Sequence, residues 1–207
     1  MAKTANVPEN VNQSPADVHK GSGVAVQKAR WYIAECKATR ERTVRTMLQK
    51  AGYEVYIASQ VETHIYKSRN RRNIEKILLP CRIFVRTEQK NLMPILLAYS
   101  SVYRFQMDKA ARADSHGNHP FASVPDDQMQ QLQYVLGKAE NPVTFTADDL
   151  TLNQKIRIMR GPLAGLEGWF YQKGPTSYIV IKVEMGSCHY AYTEIPIEDV
   201  QPISNKS

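Results

Sequence analysis

The segment Lys155-Ile-Arg-Ile-Met-Arg-Gly-Pro-Leu-Ala-Gly-Leu-Glu-Gly-Trp-Phe-Tyr171 restricts the fold more than any other part of the chain. Ile156 and Ile158 alternate with Lys155, Arg157 and Met159, the two-residue period of a half-buried strand. Gly161-Pro162 ends that strand, and Gly165 and Gly168 follow at short intervals. Glycine is required where φ turns positive or where two backbones approach closely, so this spacing predicts a tight corner between strands. The first strand is read over 155–160, and others over 166–172, 177–184, 187–193 and 195–199, with turns at Gly174-Pro175 and Gly186-Ser187. So many short strands in one stretch predict a small five-stranded barrel, which suits docking better than it suits an enzyme pocket.

Upstream, the periodicity changes. Trp31–Cys36 is strand-like, and Val44, Met47, Leu48 and Ala51 then recur on one helical face, with Thr39 read as the N-cap and Gly52 as the terminating glycine. Tyr53–Ile57 is the next strand, so the chain opens as an α/β layer. Residues 58–79 read as a hairpin with Val61, Thr63 and Ile65 on one face. Its tip, Lys67-Ser-Arg-Asn-Arg-Arg-Asn73, carries Lys67, Arg69, Arg71 and Arg72 without an acid between them. Such crowding costs stability unless a polyanion screens it. Leu78–Arg86 reads as a central strand that Pro80 can only open, Leu92–Tyr99 as a helix, and Ser101–Phe105 as a strand. A long loop over 106–124 follows, and Pro125 opens a helix whose buried face is Met129, Leu132, Val135 and Leu136. The divisions are a disordered tail over 1–29, a first domain over 30–137, a linker over 138–149 and a second domain over 150–207.

The sequence points away from several classes of function. Its 27 Lys and Arg against 20 Asp and Glu give a formal charge of +7, a lean towards a polyanionic partner. Residues 150–207 hold six cationic side chains against five acidic ones, a near-neutral balance that favours protein docking over ribosomal RNA binding in that half. Three scattered cysteines without a CxxC are read as buried reduced thiols of a cytoplasmic protein. The N-terminus lacks the basic-then-apolar order of a signal peptide, and no run is long enough to span a membrane. His116 and His119 lack further ligands nearby, so no metal is expected there. No nucleophile–base set or phosphate loop appears, so the chain is read as a non-enzyme without a cofactor.

Taken together, the two halves resemble the NusG family of transcription elongation factors, an NGN domain followed by a KOW domain. The first half carries Trp31-Tyr32, the helix spacing of Glu41, Val44 and Leu48, Pro80-Cys-Arg-Ile-Phe-Val85, Val102-Tyr-Arg-Phe105 and Pro125. The second carries Gly161-Pro-Leu-Ala-Gly165, Glu167-Gly168 and Thr193-Glu-Ile-Pro-Ile-Glu-Asp-Val200. Cys81-Arg82 stands where general members have Gly-Tyr, and the tail and the 106–124 loop are additions; these departures look more like specialised antiterminators of the RfaH or UpxY type.

The resemblance implies an α+β fold: an α/β sandwich with an antiparallel sheet, linked to a small SH3-like five-stranded barrel. It implies a monomeric antitermination factor whose first domain packs on the clamp helices of the RNA polymerase largest subunit. Tyr32, Phe84, Tyr103 and Phe105 are the docking candidates, and Lys67, Arg69, Arg71 and Arg72 would face DNA of the transcription bubble. The barrel would recruit a small-subunit ribosomal protein or a termination factor through Leu163, Leu166 and Phe170. A KOW-containing RNA-binding protein of the ribosome or its assembly is the alternative.

Overall fold

The computed structural model describes residues 28–65, 71–148, 150–185 and 188–203; the expected tail lies almost wholly outside the described residues. β1 (Arg30–Cys36) sends Tyr32, Ala34 and Cys36 to one side and Trp31 and Ile33 to the other, and all five are buried. α1 (Glu41–Lys50) and α2 (Leu92–Ala98) cover the first side with Val44, Leu48, Leu92 and Ile95. α3 (Asp126–Lys138) covers the second with Met129, Leu132 and Val135. A sheet with apolar residues on both faces needs a layer on each.

β2 (Glu54–Tyr56), β5 (Arg82–Thr87), β1 and β6 (Val102–Phe105) pair in that order, and β7 (Ser123–Val124) adds to β1. β1 and β2 each run antiparallel to β5, so α1 makes a crossover between two strands that β5 separates. Thr39 does not cap α1: the helix begins behind Arg40, without a capping side chain, and Thr39 itself holds φ 63°. The other end follows expectation. The Gly52 N–H donates to the Gln49 carbonyl and the Tyr53 N–H to the Leu48 carbonyl, the paired bonds of a Schellman motif, with Gly52 at φ 87°.

Cys81 sits at φ 62° just before β5. Its N–H donates to the buried Glu41 carboxylate at 2.8 Å and its carbonyl accepts from the Cys36 N–H at 2.9 Å, so both partners hold the strained turn. A β-carbon in this region costs about 1–2 kcal/mol, of which glycine's more flexible unfolded state takes back part. Cys81→Gly is therefore expected to raise stability by about 1 kcal/mol. The check is a urea midpoint that rises at unchanged slope; a falling midpoint would mean that the Cys81 side chain packs for more than its backbone loses. Of the cysteines expected to be buried, Cys36 is, and burial pushes its thiol up to about 12, whereas Cys81 is only half-buried.

β3 (Ser59–Ile65) and β4 (Arg71–Ile77) form the expected hairpin as a separate two-stranded sheet. The face that carries Val61 is open, with Val61 63% exposed, while its polar neighbour Gln60 is buried. Among the described residues no helix is long and apolar enough to cross a membrane.

The second half departs from a five-stranded barrel in two ways. The region 138–149 is not a free tether: α3 runs on to Lys138, Val143 is buried, and β8 (Thr144–Thr146) pairs with β12 (Cys188–Glu194). The stretch 195–199 is not a strand; Ile197–Asp199 is a 3-10 turn, after which β13 (Val200–Pro202) pairs with β9 (Lys155–Ile158). With β10 (Glu167–Lys173) and β11 (Thr176–Glu184), the sheet order is β13-β9-β10-β11-β12-β8. These are six strands, and among the described residues the two end strands do not pair, so the path is open. One apolar cluster runs from Trp31, Ile33 and Phe84 through α3 to Ile156, Ile158, Leu163, Ile179 and Ile181, so the halves share a continuous core.

Candidate nucleic-acid and protein interfaces

The basic tip depends on how the hairpin is held. Lys67 and Arg69 lie outside the described residues; Arg71 and Arg72 open β4. The described base of the hairpin is fixed on two sides. On the first, Glu75 of β4 accepts from Arg42 Nε at 2.9 Å and from the Ser59 hydroxyl at 2.8 Å, and Arg42 also donates to the Glu75 carbonyl at 2.7 Å. Arg45 completes the pairing at 3.5 Å. These bonds tie the hairpin to α1. On the second side, the buried Gln60 of β3 grips the connection between the two halves. Its amide nitrogen donates to the carbonyls of Ala139 and Asn141, and its amide oxygen accepts from the Val143 N–H, each at 3.0 Å.

The Arg42 hydrogen bond, the Ser59 hydroxyl and the charges of both arginines hold the Glu75 carboxyl below its ordinary value. A depressed carboxylate contributes stability that is fully present above the ordinary carboxylate value and is lost as pH falls through the lower folded value. The hairpin is expected to loosen below about pH 4, read as faster amide exchange in β3 and β4 while β1 and β5 stay protected. Glu75→Gln should bring that loosening to neutral pH and remove its acid dependence, at a cost of about 1 kcal/mol for partly exposed ionic bonds.

The docking candidates of the first half separate sharply. Tyr32 and Phe105 are buried against α1 and α2, and Phe84 is fully buried on the α3 side of the sheet. These three are core residues in this structure: helices cover both faces of the sheet where they lie, whereas the edge strand β6 leaves side chains open to solvent. Tyr103, at 53% exposed, is the one of the four that meets solvent, with the Arg104 guanidinium 6.0 Å from its ring. Two exposed apolar residues were missed, Met93 at 56% and Leu97 at 84%, on the outer side of α2. The signal was present, since the apolar face Leu92, Ile95, Leu96 leaves Met93 and Leu97 pointing elsewhere on the helix.

In the second half, Leu163 and Leu166 are buried at the Gly-rich corner and Phe170 is half-buried against the core, so these too are packing residues as the structure stands. The corner rests on α3. The Tyr134 hydroxyl lies 3.0 Å from the Ala164 carbonyl and 3.4 Å from that of Pro162. At the other end of the helix, Gln128 accepts from the Glu184 N–H at 2.7 Å. His119 Nδ1 lies 2.9 Å from the Ala111 carbonyl, and among the described residues no cluster of His, Cys, Asp and Glu could hold a metal.

The family described as transcription termination factor NusG matches residues 29–133, just over half of the 207-residue chain. The chain belongs to the NusG family. The matched span begins just before β1 and ends within α3, so the first α/β layer and its hairpin constitute the NusG domain. Thermotoga maritima NusG, from a structure concerned with its domain interaction, is 18% identical over 86% of this chain and 98% of that one, with a TM-score of 0.40. The MjSpt4:Spt5 complex is 10% identical over 84% of this chain and 98% of that one, with a TM-score of 0.26. No curated protein sequence matches the chain.

Proposed function

We propose that this NusG-family chain is a transcription elongation and antitermination factor that works by binding and not by catalysis. Its NusG domain packs on the clamp helices of the RNA polymerase largest subunit, and the tip of the β3–β4 hairpin reaches the DNA of the transcription bubble. The C-terminal sheet recruits a second partner, a small-subunit ribosomal protein or a termination factor. The observation that carries the reading is the family match across the first domain. A factor that prefers the elongating polymerase shifts the equilibrium away from the paused state by its difference in affinity for the two.

The apolar contact falls to Leu97, Met93 and Tyr103, the solvent-facing side chains of α2 and β6, in place of the buried Tyr32, Phe84 and Phe105. Leu163 and Leu166 are covered where the corner meets α3, so a partner that reads them needs that corner to leave the helix. The test is co-purification of polymerase with the full chain. Leu97→Asp lies on an exposed position and should leave the melting temperature unchanged while lowering recovered polymerase about ten-fold or more, the loss of a single good anchor. Full recovery with Leu97→Asp and Tyr103→Asp alike would remove this surface from the interface. On a bubble scaffold, changing Arg69, Arg71 and Arg72 to Ala should weaken binding and flatten its salt dependence by about one phosphate contact per arginine.

A further inference from the structure

We propose that the face of the C-terminal sheet turned away from its core is a stacking platform for single-stranded RNA. Neither the family match nor the polymerase reading assigns this face a role, and the inference stands if that reading fails. Strand register builds it. Lys155, Trp169, Val180 and Tyr192 are consecutive cross-strand partners on β9, β10, β11 and β12, and Tyr171 and Tyr178 form the next row. Partners in register share a face, and this one is opposite to Ile179, Ile181 and Val183, which lie in the core. Val180 is fully buried although it points outward, flanked by Trp169 and Tyr192 on the neighbouring strands.

The three tyrosines pack as a group. Ring centroids are 5.9 Å apart for Tyr171 and Tyr178, 6.3 Å for Tyr171 and Tyr192, and 5.4 Å for Tyr178 and Tyr192. All three rings and Trp169 remain half-buried, so each presents an edge or part of a face to solvent. A buried core position would explain such a cluster, but these rings lie outside the core clusters of the molecule. Unpaired bases stack on rings of this kind, and every base has a face to offer.

Charge selects a nucleic acid over an apolar peptide. Lys155 stands 5.3 Å over the Trp169 ring at one side of the tyrosines, and Lys173 follows Tyr171 along the same strand at the other. Among the described residues neither lysine has a carboxylate partner, whereas Arg157 pairs with Glu167 and Lys182 with Glu184. Among the described residues Glu194, opposite Tyr178, is the remaining acid on the strands of this face, and Asp127 of α3 lines the cleft beside Lys155 and Trp169. The near-neutral total for this half therefore hides two free cations placed on either side of the rings. Hydroxyls edge the same surface, with Thr144 beside Tyr192 and Thr176 beside Lys173, and these suit the ribose 2′-hydroxyl.

With only two phosphate contacts, stacking carries the affinity. The platform should then show a shallow salt dependence, a slope of about −1.4 in log K against log salt. The basic hairpin tip would give a steep one. The experiment is fluorescence anisotropy of a labelled oligouridylate of about ten nucleotides with the full chain. Tyr171→Leu should weaken binding by roughly five- to a hundred-fold, the loss of one stacked base, while Tyr171→Phe, which keeps the ring, should stay within about two-fold of the parent. Should Tyr171→Leu fail to fold, the exposed Lys173→Glu carries the test, with several-fold weaker binding expected. The proposal is overturned by RNA binding that Tyr171→Leu and Lys173→Glu leave intact. Equal affinity for single-stranded DNA of the same sequence overturns it too, as does capture of a decaproline peptide in place of the RNA.

Discussion

Gly168→Ala is expected to destabilise the C-terminal sheet by about 2–3 kcal/mol, the upper part of the range for forcing extra volume into a packed site. A β-carbon at residue 168 would stand 2.7 Å from the Val180 carbonyl oxygen and 2.8 Å from Ile179 Cγ1. The isoleucine branch has some freedom to turn away. The carbonyl has none, because it belongs to a backbone held in the β10–β11 ladder, where Trp169 pairs with Val180. On its other side Gly168 pairs with Ile156 of β9, so β10 is hemmed in from both neighbours. A control is built into the same corner. Gly165 holds φ 87° but has nothing within 4 Å of its virtual β-carbon, so Gly165→Ala meets backbone strain alone, about 1–2 kcal/mol. Thermal melts should rank the parent above Gly165→Ala and Gly165→Ala above Gly168→Ala, the last shifted by on the order of 10 °C. A Gly168→Ala protein that melts with the parent would mean that β10 is free to slide away from β11.

These two glycines show which part of the fold was legible. A glycine in a strand pattern signals either a positive φ or a close approach, and the corner contains both. Helix faces were equally readable: Met129, Leu132, Val135 and Leu136 are all buried, since a 3.6-residue period leaves little choice of side. The failures share a different cause. Tyr32 and Phe105 lie on one side of the sheet and Phe84 on the other, and local alternation does not reveal that both sides are roofed. Alternation puts Val61 and Gln60 on opposite faces of β3 but does not say which is buried; Gln60 is, because its partners are 79 to 83 residues away, beyond the reach of any local pattern. The same non-local pairing turns Thr144–Thr146, part of an apparent tether, into a strand. In the candidate interfaces the charge run over 67–72 is plain from composition alone, whereas the outward position of Leu97 follows only once the face of Leu92, Ile95 and Leu96 orients the helix.

Replacing Gln60 tests the longest-range of these links. Gln60→Leu keeps the volume and removes Gln60's three hydrogen bonds to the connecting segment, leaving the Ala139 carbonyl and the Val143 N–H without their partner and the Asn141 carbonyl with the Thr193 hydroxyl alone. Buried polar groups stranded in this way cost about 1–3 kcal/mol each, and water reaching the half-exposed carbonyls recovers part, so a loss of about 3 kcal/mol is expected. Gln60→Glu separates shape from bonding. A carboxylate still accepts from Val143, but it offers no donor to the two carbonyls, so this nearly isosteric change should be about as harmful as leucine. The segment retains a second hold, since the Thr193 hydroxyl reaches the carbonyls of Asn141 and Pro142 at 3.3 Å and Asn141 donates to the Glu194 carbonyl at 3.1 Å. Its attachment to the C-terminal sheet therefore survives while its attachment to the hairpin is lost. In both variants the Val143 amide should exchange faster and limited proteolysis should cut within 139–143, with β12 still protected. A fully protective Gln60→Glu would show that the Val143 bond alone fixes the segment, and wild-type protection in Gln60→Leu would show that packing, not hydrogen bonding, joins hairpin to linker.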